Sequence, residues 1–324
     1  MGREERKLRK HLEERGKRER RLARKYSHEF PSETSGESNG TGMPGLVCGV
    51  GPSCCEVLDN DLRLLCRTSF DVAVGDQVLY STERLKIERV LPRRSALSRP
   101  DPHNPRLERI IAANIDAVVV VVSVKSPPLR PGLIDRYLIA IERSGAEPVL
   151  CVNKADLINE EAPVELDLYR ELGISTVLCS AAARTGIDDL ASLLAGKTCV
   201  FTGHSGVGKS SLLNALAPDA GLTTRAVSAV HQKGRHTTTS ATLHLLPNGA
   251  AIIDTPGIRE FGLWQVTREN LRTYFPEMRD LGLFCEFRDC THTHEPVCAV
   301  KEAVDTGRMP APRYAAYRRI WDTL

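Results

Sequence analysis

The residues from Gly203 to Ser210 read Gly-His-Ser-Gly-Val-Gly-Lys-Ser and match the phosphate-binding pattern G-x-x-x-x-G-K-[S/T] at every fixed position. Glycines let the backbone wrap around an anion, so that successive N–H groups and the positive end of a helix point at the phosphates. In this pattern Lys209 reaches the β- and γ-phosphates, and the Ser210 hydroxyl holds Mg²⁺. An apolar stretch precedes the loop and a helical pattern follows it, which favours a nucleotide site over a simple glycine-rich turn.

Two further segments carry chemistry that suits a guanine base. Asp156, in Asn-Lys-Ala-Asp, can accept hydrogen bonds from both the ring N–H and the exocyclic amine of guanine, whereas adenine offers no matching pair. Backbone N–H groups at Ser180 and Ala181 can address a base oxygen. Because Asp156 follows an apolar strand pattern, it is expected at the carboxyl edge of a sheet, where open parallel sheets bind ligands.

The segment from Asp254 to Gly257, Asp-Thr-Pro-Gly, follows another apolar strand pattern. An aspartate at a strand end with a glycine three residues later suits an outer-shell Mg²⁺ ligand and a backbone N–H that senses the γ-phosphate. Taken alone, these four residues could equally form a turn.

A cluster of soft ligands lies near the end of the chain. Cys285, Cys290, His292 and Cys298 follow the pattern C-x4-C-x-H-x5-C, which offers three thiolates and one imidazole for closed, tetrahedral zinc of a structural kind. His294 is an equally suitable fourth ligand by chemistry. Unmetallated cysteines are the alternative.

The elements that would position these residues follow an α/β pattern. Residues 116–124 form a continuous β-branched run, as in a parallel strand that is buried on both faces. A helical pattern through residues 133–141 ends at Gly145 and leads into a second apolar strand at 148–152. Alternating strands and helices predict a doubly wound α/β domain.

Five short strand patterns without helices occupy residues 45–91, which predicts a small barrel of the OB type. Such barrels often bind nucleic acid, although SH3-like and purely structural barrels give the same pattern. Residues 93–100 link the barrel to the α/β domain, either as a connector or as a phosphate contact. The closing helix near 313–321 is expected to pack on its neighbours, with an RNA-stacking platform as the alternative.

Composition limits the remaining function classes. The 324 residues carry a net charge of +3, but residues 1–25 alone hold 12 Lys or Arg against 5 Glu. This basic arm is either an electrostatic contact for nucleic acid or a solvated extension. No run of 18 apolar residues and no signal-peptide pattern is present, so we expect a cytoplasmic protein without a membrane partner.

The sequence therefore predicts a multi-domain fold. A basic arm and flexible linker (1–42) are followed by an OB-type β-barrel (43–98), an α/β P-loop domain with a guanine-selecting segment (99–265), which the resemblance named below makes a circularly permuted GTPase domain, and a mainly helical zinc-binding module (266–324). Within this domain the base-binding segments (G4 and G5) come before the phosphate loop (G1), and Asp-Thr-Pro-Gly (G3) comes last. In the usual numbering of guanine-nucleotide motifs, the order is therefore G4-G5-G1-G2-G3.

This permuted order, with a barrel before it and a Cys/His cluster after it, resembles the ribosome small subunit-dependent GTPase A (RsgA, also YjeQ) family from about Gly45 to Trp321. The strings that carry the resemblance are LSRPDP, IAANIDAVVVVVS, IDRYL, GHSGVGKSSL, GRHTTT, DTPGIREFGLW and CEFRDCTHTHEPVCAV. His204 departs from the glutamine expected in the family, and the basic arm is long.

The resemblance implies a GTPase that binds the small ribosomal subunit and its rRNA, acts in late maturation of the subunit and is released after subunit-stimulated hydrolysis. It selects His292 over His294 as the zinc ligand. The alternatives are a GTP-dependent RNA-binding protein whose hydrolysis is not ribosome-activated, a nucleotide-independent RNA-binding module and a metabolic P-loop kinase. We expect a monomer.

The resemblance and the motifs together give the site residues. The expected nucleotide-binding residues are Asn153, Lys154, Asp156, Ser180, Ala181, Gly203, His204, Ser205, Gly206, Val207, Gly208, Lys209, Ser210, Ser211, Asp254 and Gly257. Mg²⁺ is expected on Ser210, Thr238 and Asp254. The position that carries a water-orienting glutamine in many GTPases is Ile258, so the catalytic residues are expected to be His236, which would position the water, together with Lys209 and Thr238. His236 as an RNA contact or surface residue is the alternative.

Overall fold

The computed structural model describes residues 42–51, 53–60, 62–101, 104, 107–158, 163, 165–217, 241–255, 263 and 265–324. The predicted basic arm and linker lie outside these residues, apart from Gly42. His236, Thr238, Gly257 and Ile258 also lie outside them.

The first domain is a closed barrel of five strands. These are β1 (Met43–Val50), β2 (Cys54–Asp59), β3 (Leu62–Arg67), β4 (Gln77–Ser81) and β5 (Lys86–Val90). The strand order is β1-β2-β3-β5-β4, and β4 returns to pair with β1. All pairs are antiparallel except β3 with β5. This confirms the predicted OB-type barrel, whose interior is filled by alternating apolar side chains such as Val57, Val78 and Ile87.

The second domain is built on a mostly parallel sheet. Its elements are β8 (Ala117–Ser123), α1 (Pro131–Ser144), β9 (Glu147–Asn153), α2 (Glu165–Glu171), β10 (Ser175–Leu178), α3 (Ile187–Leu193), β11 (Thr198–Thr202), α4 (Lys209–Leu216), β12 (Thr242–Leu245) and β13 (Ala251–Asp254). The strand order is β10-β9-β8-β11-β13-β12, with β12 antiparallel to β13. After β8, the chain adds β9 and β10 on one side of that strand and then β11 and β13 on its other side. The position between β8 and β11 is therefore the switch point, where a doubly wound sheet binds its ligand.

The burial of strand β8 follows from its sequence. All seven of its residues are buried, as the β-branched run predicts for a central parallel strand. Val118 and Val120 join the core under α1, while Val119 and Val121 join the opposite core under α3 and α4. Helix α1 begins at a proline and ends at Gly145, which adopts the left-handed conformation (φ 76°) that glycine accommodates.

The connection between the first two domains is structural. Arg93 binds the buried Asp76 carboxylate through Nε (2.6 Å) and Nη2 (2.7 Å). The chain then forms a hairpin of β6 (Ala96–Pro100) and β7 (Glu108–Ala113). Residue 98, the predicted boundary of the barrel domain, lies within β6. In addition, β12 pairs with barrel strand β1 at Gly49 and Thr242, so one sheet of 11 strands runs through both domains.

The last domain is mainly helical, as predicted. It contains a 3₁₀ helix (Leu271–Tyr274), α5 (Pro276–Gly282), α6 (Ala299–Asp305) and α7 (Ala311–Thr323). Its core includes Phe275, Met278, Tyr317 and Ile320, and Ile139 from α1 enters the same core. Tyr317 and Ile320 are thus buried by packing, which favours the packing interpretation of this helix over an RNA-stacking platform. Within the described ranges, no helix has the length and apolar character needed to cross a membrane.

Candidate nucleotide and metal sites

The phosphate loop joins β11 to α4 at the carboxyl edge of the sheet. Gly203, Gly206 and Gly208 have φ of 141°, 83° and 93°. A Cβ at Gly203 would lie 2.1 Å from the Val121 carbonyl oxygen, and one at Gly208 would lie 2.2 Å from Asn153 Nδ2. Both glycines are therefore required by conformation and by space, and the loop they form leaves its N–H groups at the start of α4.

Side chains of the loop have distinct environments. Lys209 Nζ donates to the carbonyl oxygens of Gly203 (2.6 Å) and His204 (3.0 Å). The lysine side chain therefore lies across the loop that is expected to surround the phosphates. Val207 is buried in the core under α4. The loop's hydroxyl side chains are solvent-exposed, namely Ser205, Ser210 and Ser211.

Asn153 connects the base-binding and phosphate-binding segments. It ends β9 and is buried. Its Nδ2 donates to the Val207 carbonyl oxygen (2.8 Å), and its Oδ1 accepts from the Ala181 N–H (3.1 Å). One amide side chain thus uses both its donor and its acceptor to hold two loops together.

Asp156 lies in a short 3₁₀ turn after β9 and is exposed. The Ser180 hydroxyl donates to Asp156 Oδ1 and accepts from the Ala183 N–H (3.0 Å). Lys154 Nζ donates to the Ser126 carbonyl oxygen. The carboxylate is therefore oriented while part of it remains open to solvent, as a group that accepts two guanine N–H bonds must be.

Asp254 ends β13, which pairs with β11, the strand that leads into the phosphate loop. Burial raises the pKa of the Asp254 carboxyl, and positive charge on His244 and Lys209 opposes that shift. A cation beside this carboxylate would favour its ionised form. The predicted partners His236, Thr238 and Gly257 cannot be placed, because they lie outside the described residues.

Cys285, Cys290, His292 and Cys298 form one cluster, in which their ligand atoms all lie within 4.8 Å of one another. His292 Nδ1 is 3.5 Å from Cys285 Sγ and 3.4 Å from Cys298 Sγ. Burial raises the pKa of the Cys290 thiol to about 12 and lowers the pKa of His292. His294 lies apart, with 80% of its side chain exposed, so geometry separates the two histidines that ligand chemistry could not.

Residues that sequence reasoning missed hold the His292 turn. Glu295 accepts from the Thr291 N–H (2.7 Å) and hydroxyl (2.6 Å) and from the Thr293 N–H (3.0 Å). Burial disfavours its charge, but these hydrogen bonds outweigh burial and lower the pKa of Glu295 to about 2. Tyr314 from α7 donates to the His292 carbonyl oxygen (2.7 Å). The signal in the sequence was the spacing Thr-His-Thr-His-Glu, which places two donors near one acceptor.

Sequence reasoning also missed a buried ionic contact between domains. Arg313 of α7 donates through Nη1 to Asp135 Oδ1 of α1 (2.8 Å) and through Nε to Glu277 of α5. The guanidinium carbon lies 4.2 Å from the Phe275 ring centroid. Burial raises the pKa of Asp135 and Arg313 opposes that shift. The Cys/His module is thus fixed to the helix that follows β8.

Comparison with known proteins gives consistent results. The family model described as RsgA GTPase matches residues 90–264. A small ribosomal subunit biogenesis GTPase RsgA from Histophilus somni (strain 2336) is 41% identical over 280 residues, which cover 83% of this chain and 78% of that protein. The protein of the same name from Pseudomonas aeruginosa (strain LESB58) is 44% identical over 256 residues, covering 77% and 75%.

Two solved structures have a similar fold over most of the chain. YjeQ from Thermotoga maritima superposes with a TM-score of 0.69 at 33% identity, covering 87% of this chain and 98% of that one. YloQ, described as a circularly permuted GTPase, superposes with a TM-score of 0.68 at 29% identity, covering 90% and 97%.

Proposed function

Because this chain belongs to the RsgA GTPase family and is therefore a GTP hydrolase, we propose that it binds the small ribosomal subunit, acts in late maturation of that subunit and is released by subunit-stimulated hydrolysis. The observation that carries the proposal is the Asn153 bridge. It joins a guanine-selecting segment to a phosphate loop across the sheet, in the permuted order of the family.

In this proposal GTP spans the edge between β9 and β11. Asp156, held by Ser180, accepts the guanine N–H groups, and the loop from Gly203 to Ser210 surrounds the phosphates. Lys209 exchanges its two carbonyl contacts for phosphate oxygens. The Mg²⁺ that accompanies GTP in this family neutralises charge on the β- and γ-phosphates. Ser210 and Asp254 are the described residues that would hold the ion.

We further propose that His236 orients the attacking water and that Thr238 contacts the cation or the γ-phosphate. Support comes from the residue types: an imidazole can accept a proton from water, whereas Ile258, which takes the place of the usual glutamine, cannot. Hydrolysis by the chain alone is then expected to be slow, with the subunit needed to complete the site.

Zinc is the metal that best suits the Cys/His cluster. Three thiolates and one imidazole that converge within 4.8 Å match a closed tetrahedral site, and three of the four ligands, Cys290, His292 and Cys298, are buried. We propose a structural role: zinc would stabilise the turns that carry the four ligands and, through Tyr314 and Tyr317, their contact with α7.

The barrel is the proposed rRNA-binding surface. On the outer face of β3, Arg63, Leu65 and Arg67 are exposed, and the pairing of β3 with β5 sets Lys86 beside Arg67. Exposed cations alternating with apolar side chains suit a nucleic-acid backbone and its bases, and OB folds bind through this region. We propose that the basic arm adds phosphate contacts, and that the protein works as a cytoplasmic monomer, where ribosomes assemble.

GTP hydrolysis by the purified chain tests the proposal, with and without mature small ribosomal subunits at fixed salt and with ATP as a control. We expect strong stimulation by subunits with GTP only. His236→Ala should lose at least about 100-fold of the stimulated kcat, while the matched variant His294→Ala retains it. Tight GTP binding without stimulation would favour the alternative, a GTP-dependent RNA-binding protein that subunits do not activate.

A further inference from the structure

Two buried hydroxyl groups lie at the nucleotide edge of the sheet without a hydrogen-bond partner among the described residues. They belong to Thr202, which is fully buried, and Thr255, which is 8% exposed. Thr202 immediately precedes Gly203 of the phosphate loop, and Thr255 immediately follows Asp254. A buried hydroxyl without a partner costs free energy and is uncommon in folded proteins. Two of them at one edge require an explanation.

The strand register, continued by two residues, would set these hydroxyls next to each other. In the β11–β13 pair, Val200 lies opposite Ile253, so the same register would bring Thr202 opposite Thr255. Thr202 also pairs with Val120 of β8. Val120, Val200 and Ile253 all belong to the core under α1. Because side chains alternate along a strand, both threonines face α1, while Asp254 faces the opposite side.

Neighbouring strands lie about 4.8 Å apart. At that spacing, rotation about χ1 of either threonine suffices to bring one hydroxyl within hydrogen-bonding distance of the other, provided that the two strand ends are aligned. The pairing of β11 with β13 stops at Val200 and Ile253, before the two threonines. The strand ends therefore have a contact still to gain.

We propose that Thr202 and Thr255 are positioning residues for GTP hydrolysis, whose hydroxyls bond to each other only in the arrangement from which bound GTP is hydrolysed, when the end of β13 lies against the phosphate loop. A bond made only in that arrangement lowers the barrier to hydrolysis and leaves the binding of GTP in the ground state unchanged. Asp254 would be attracted from one face of β13, and the threonine pair would fix the same strand end from the other face. The inference rests on the GTPase activity of this site.

Valine substitutions separate this role from a structural one. Valine keeps the shape and the β-branching of threonine but removes the hydroxyl, so the strands are retained. If the hydroxyls are unpaired without nucleotide, their removal leaves the melting temperature of the nucleotide-free protein unchanged or raises it, because no hydrogen bond is lost and an unsatisfied polar group is gone.

The experiment compares Thr202→Val, Thr255→Val and the double variant with wild type, and uses Thr198→Val, at the far end of β11, as the matched control. Melting temperatures are measured without nucleotide, and kcat and KM for GTP are measured with Mg²⁺. We expect each single variant to lose about fivefold in kcat, the size of one hydrogen bond, with KM within about twofold of wild type. The double variant should be no slower than the slower single variant, because both lose the same bond.

Three results would overturn the inference: a lower melting temperature of the nucleotide-free single variants, an unchanged kcat, or losses that multiply in the double variant. Wild-type turnover above an enzyme-free blank is established first, without ribosomal subunits. Its absence would count against the assigned GTPase activity, whereas unchanged variants beside an active wild type would count against the threonine pair alone.

Discussion

Asp135 and Arg313 are separated by 178 positions in the chain, yet their side chains meet at 2.8 Å, each only 3% exposed. Burying two charges is costly, and the raised pKa of Asp135 indicates that burial outweighs the attraction of the guanidinium. Such a contact adds little net stability in comparison with an apolar one. We infer that it favours one docking position of the Cys/His module on α1, because a shifted position that still buried the two charges would leave them without partners.

Replacement of Arg313 should lower the stability of the protein strongly, because its side chain is buried against two carboxylates. Arg313→Met leaves Asp135 and Glu277 without their buried counter-ion and should lower the free energy of unfolding by about 3–5 kcal/mol. Denaturant unfolding and limited proteolysis at the module measure the effect. The control is Arg319→Met, whose side chain is 60% exposed and 3.9 Å from Asp135; it should change stability by less than about 1 kcal/mol. Equal effects of the two variants would contradict the prediction.

The Asn153 bridge predicts a loss of nucleotide affinity. Asn153→Ala removes the bonds to Val207 and Ala181, each worth about 1 kcal/mol, so GTP and GDP affinities should both fall about 30-fold. Titration with a fluorescent nucleotide measures this. Asn248→Ala also loses two side-chain hydrogen bonds, in a turn before β13, and is the matched control. If Asn248→Ala weakens binding as much, general destabilisation explains the loss.

Glu295 should stabilise the Cys/His module in a pH-dependent way. Its pKa of about 2 in the folded chain lies below the ordinary 4.5, so its contribution is complete above pH 4.5 and is lost as the pH falls towards 2. The shift corresponds to at most about 3 kcal/mol. The difference in unfolding free energy between wild type and Glu295→Gln should be constant from pH 7 to pH 5 and shrink below pH 4.5. The acid sensitivity of the cysteines is the same in both proteins, so it cancels in the difference between their unfolding free energies. A difference that already shrinks between pH 7 and pH 5 would show that the Glu295 carboxyl has an ordinary pKa.

Loss of one cluster ligand should release the metal and unfold the module locally. Cys290→Ser, or a strong chelator, should reduce bound zinc from one per chain to near none and increase amide exchange over residues 266–324, because metal binding supplies folding free energy to such sites. Metal analysis and hydrogen exchange measure the two effects. Cys54→Ser, in barrel strand β2, should leave both unchanged. A zinc-free wild type with the same exchange protection would refute the metal assignment.

Local patterns predicted the elements well, because each depends on near neighbours in sequence. The five barrel strands follow from short apolar stretches between turns, and α1 follows from its helical spacing and Gly145. The hairpin β6–β7 was not predicted, since β6 is short and ends in Arg99 and Pro100, which are not typical of a strand. The motif letters likewise predicted a loop at Gly203–Gly208, which lies between β11 and α4.

Contacts between distant residues could not be predicted in this way. The choice between His292 and His294 depends on the turn that Glu295 holds, and periodicity contains no information on it. Asn153 was assigned to the site, but its bond to Val207 joins residues 54 positions apart. The Asp135–Arg313 pair depends on where two separate domains dock. These features arise from complementary surfaces rather than from a local repeat.

The sheet that runs from barrel to GTPase domain is joined at Gly49 and Thr242 through main-chain groups. Main-chain pairing depends little on which side chains flank it, so relatives could exchange nearly every surface residue at this junction and still hold the two domains at the same angle. The outer face of the barrel would then be free to diverge, while its distance from the phosphate loop remains fixed by the backbone. A change of binding preference would require no redesign of the enzyme beneath it.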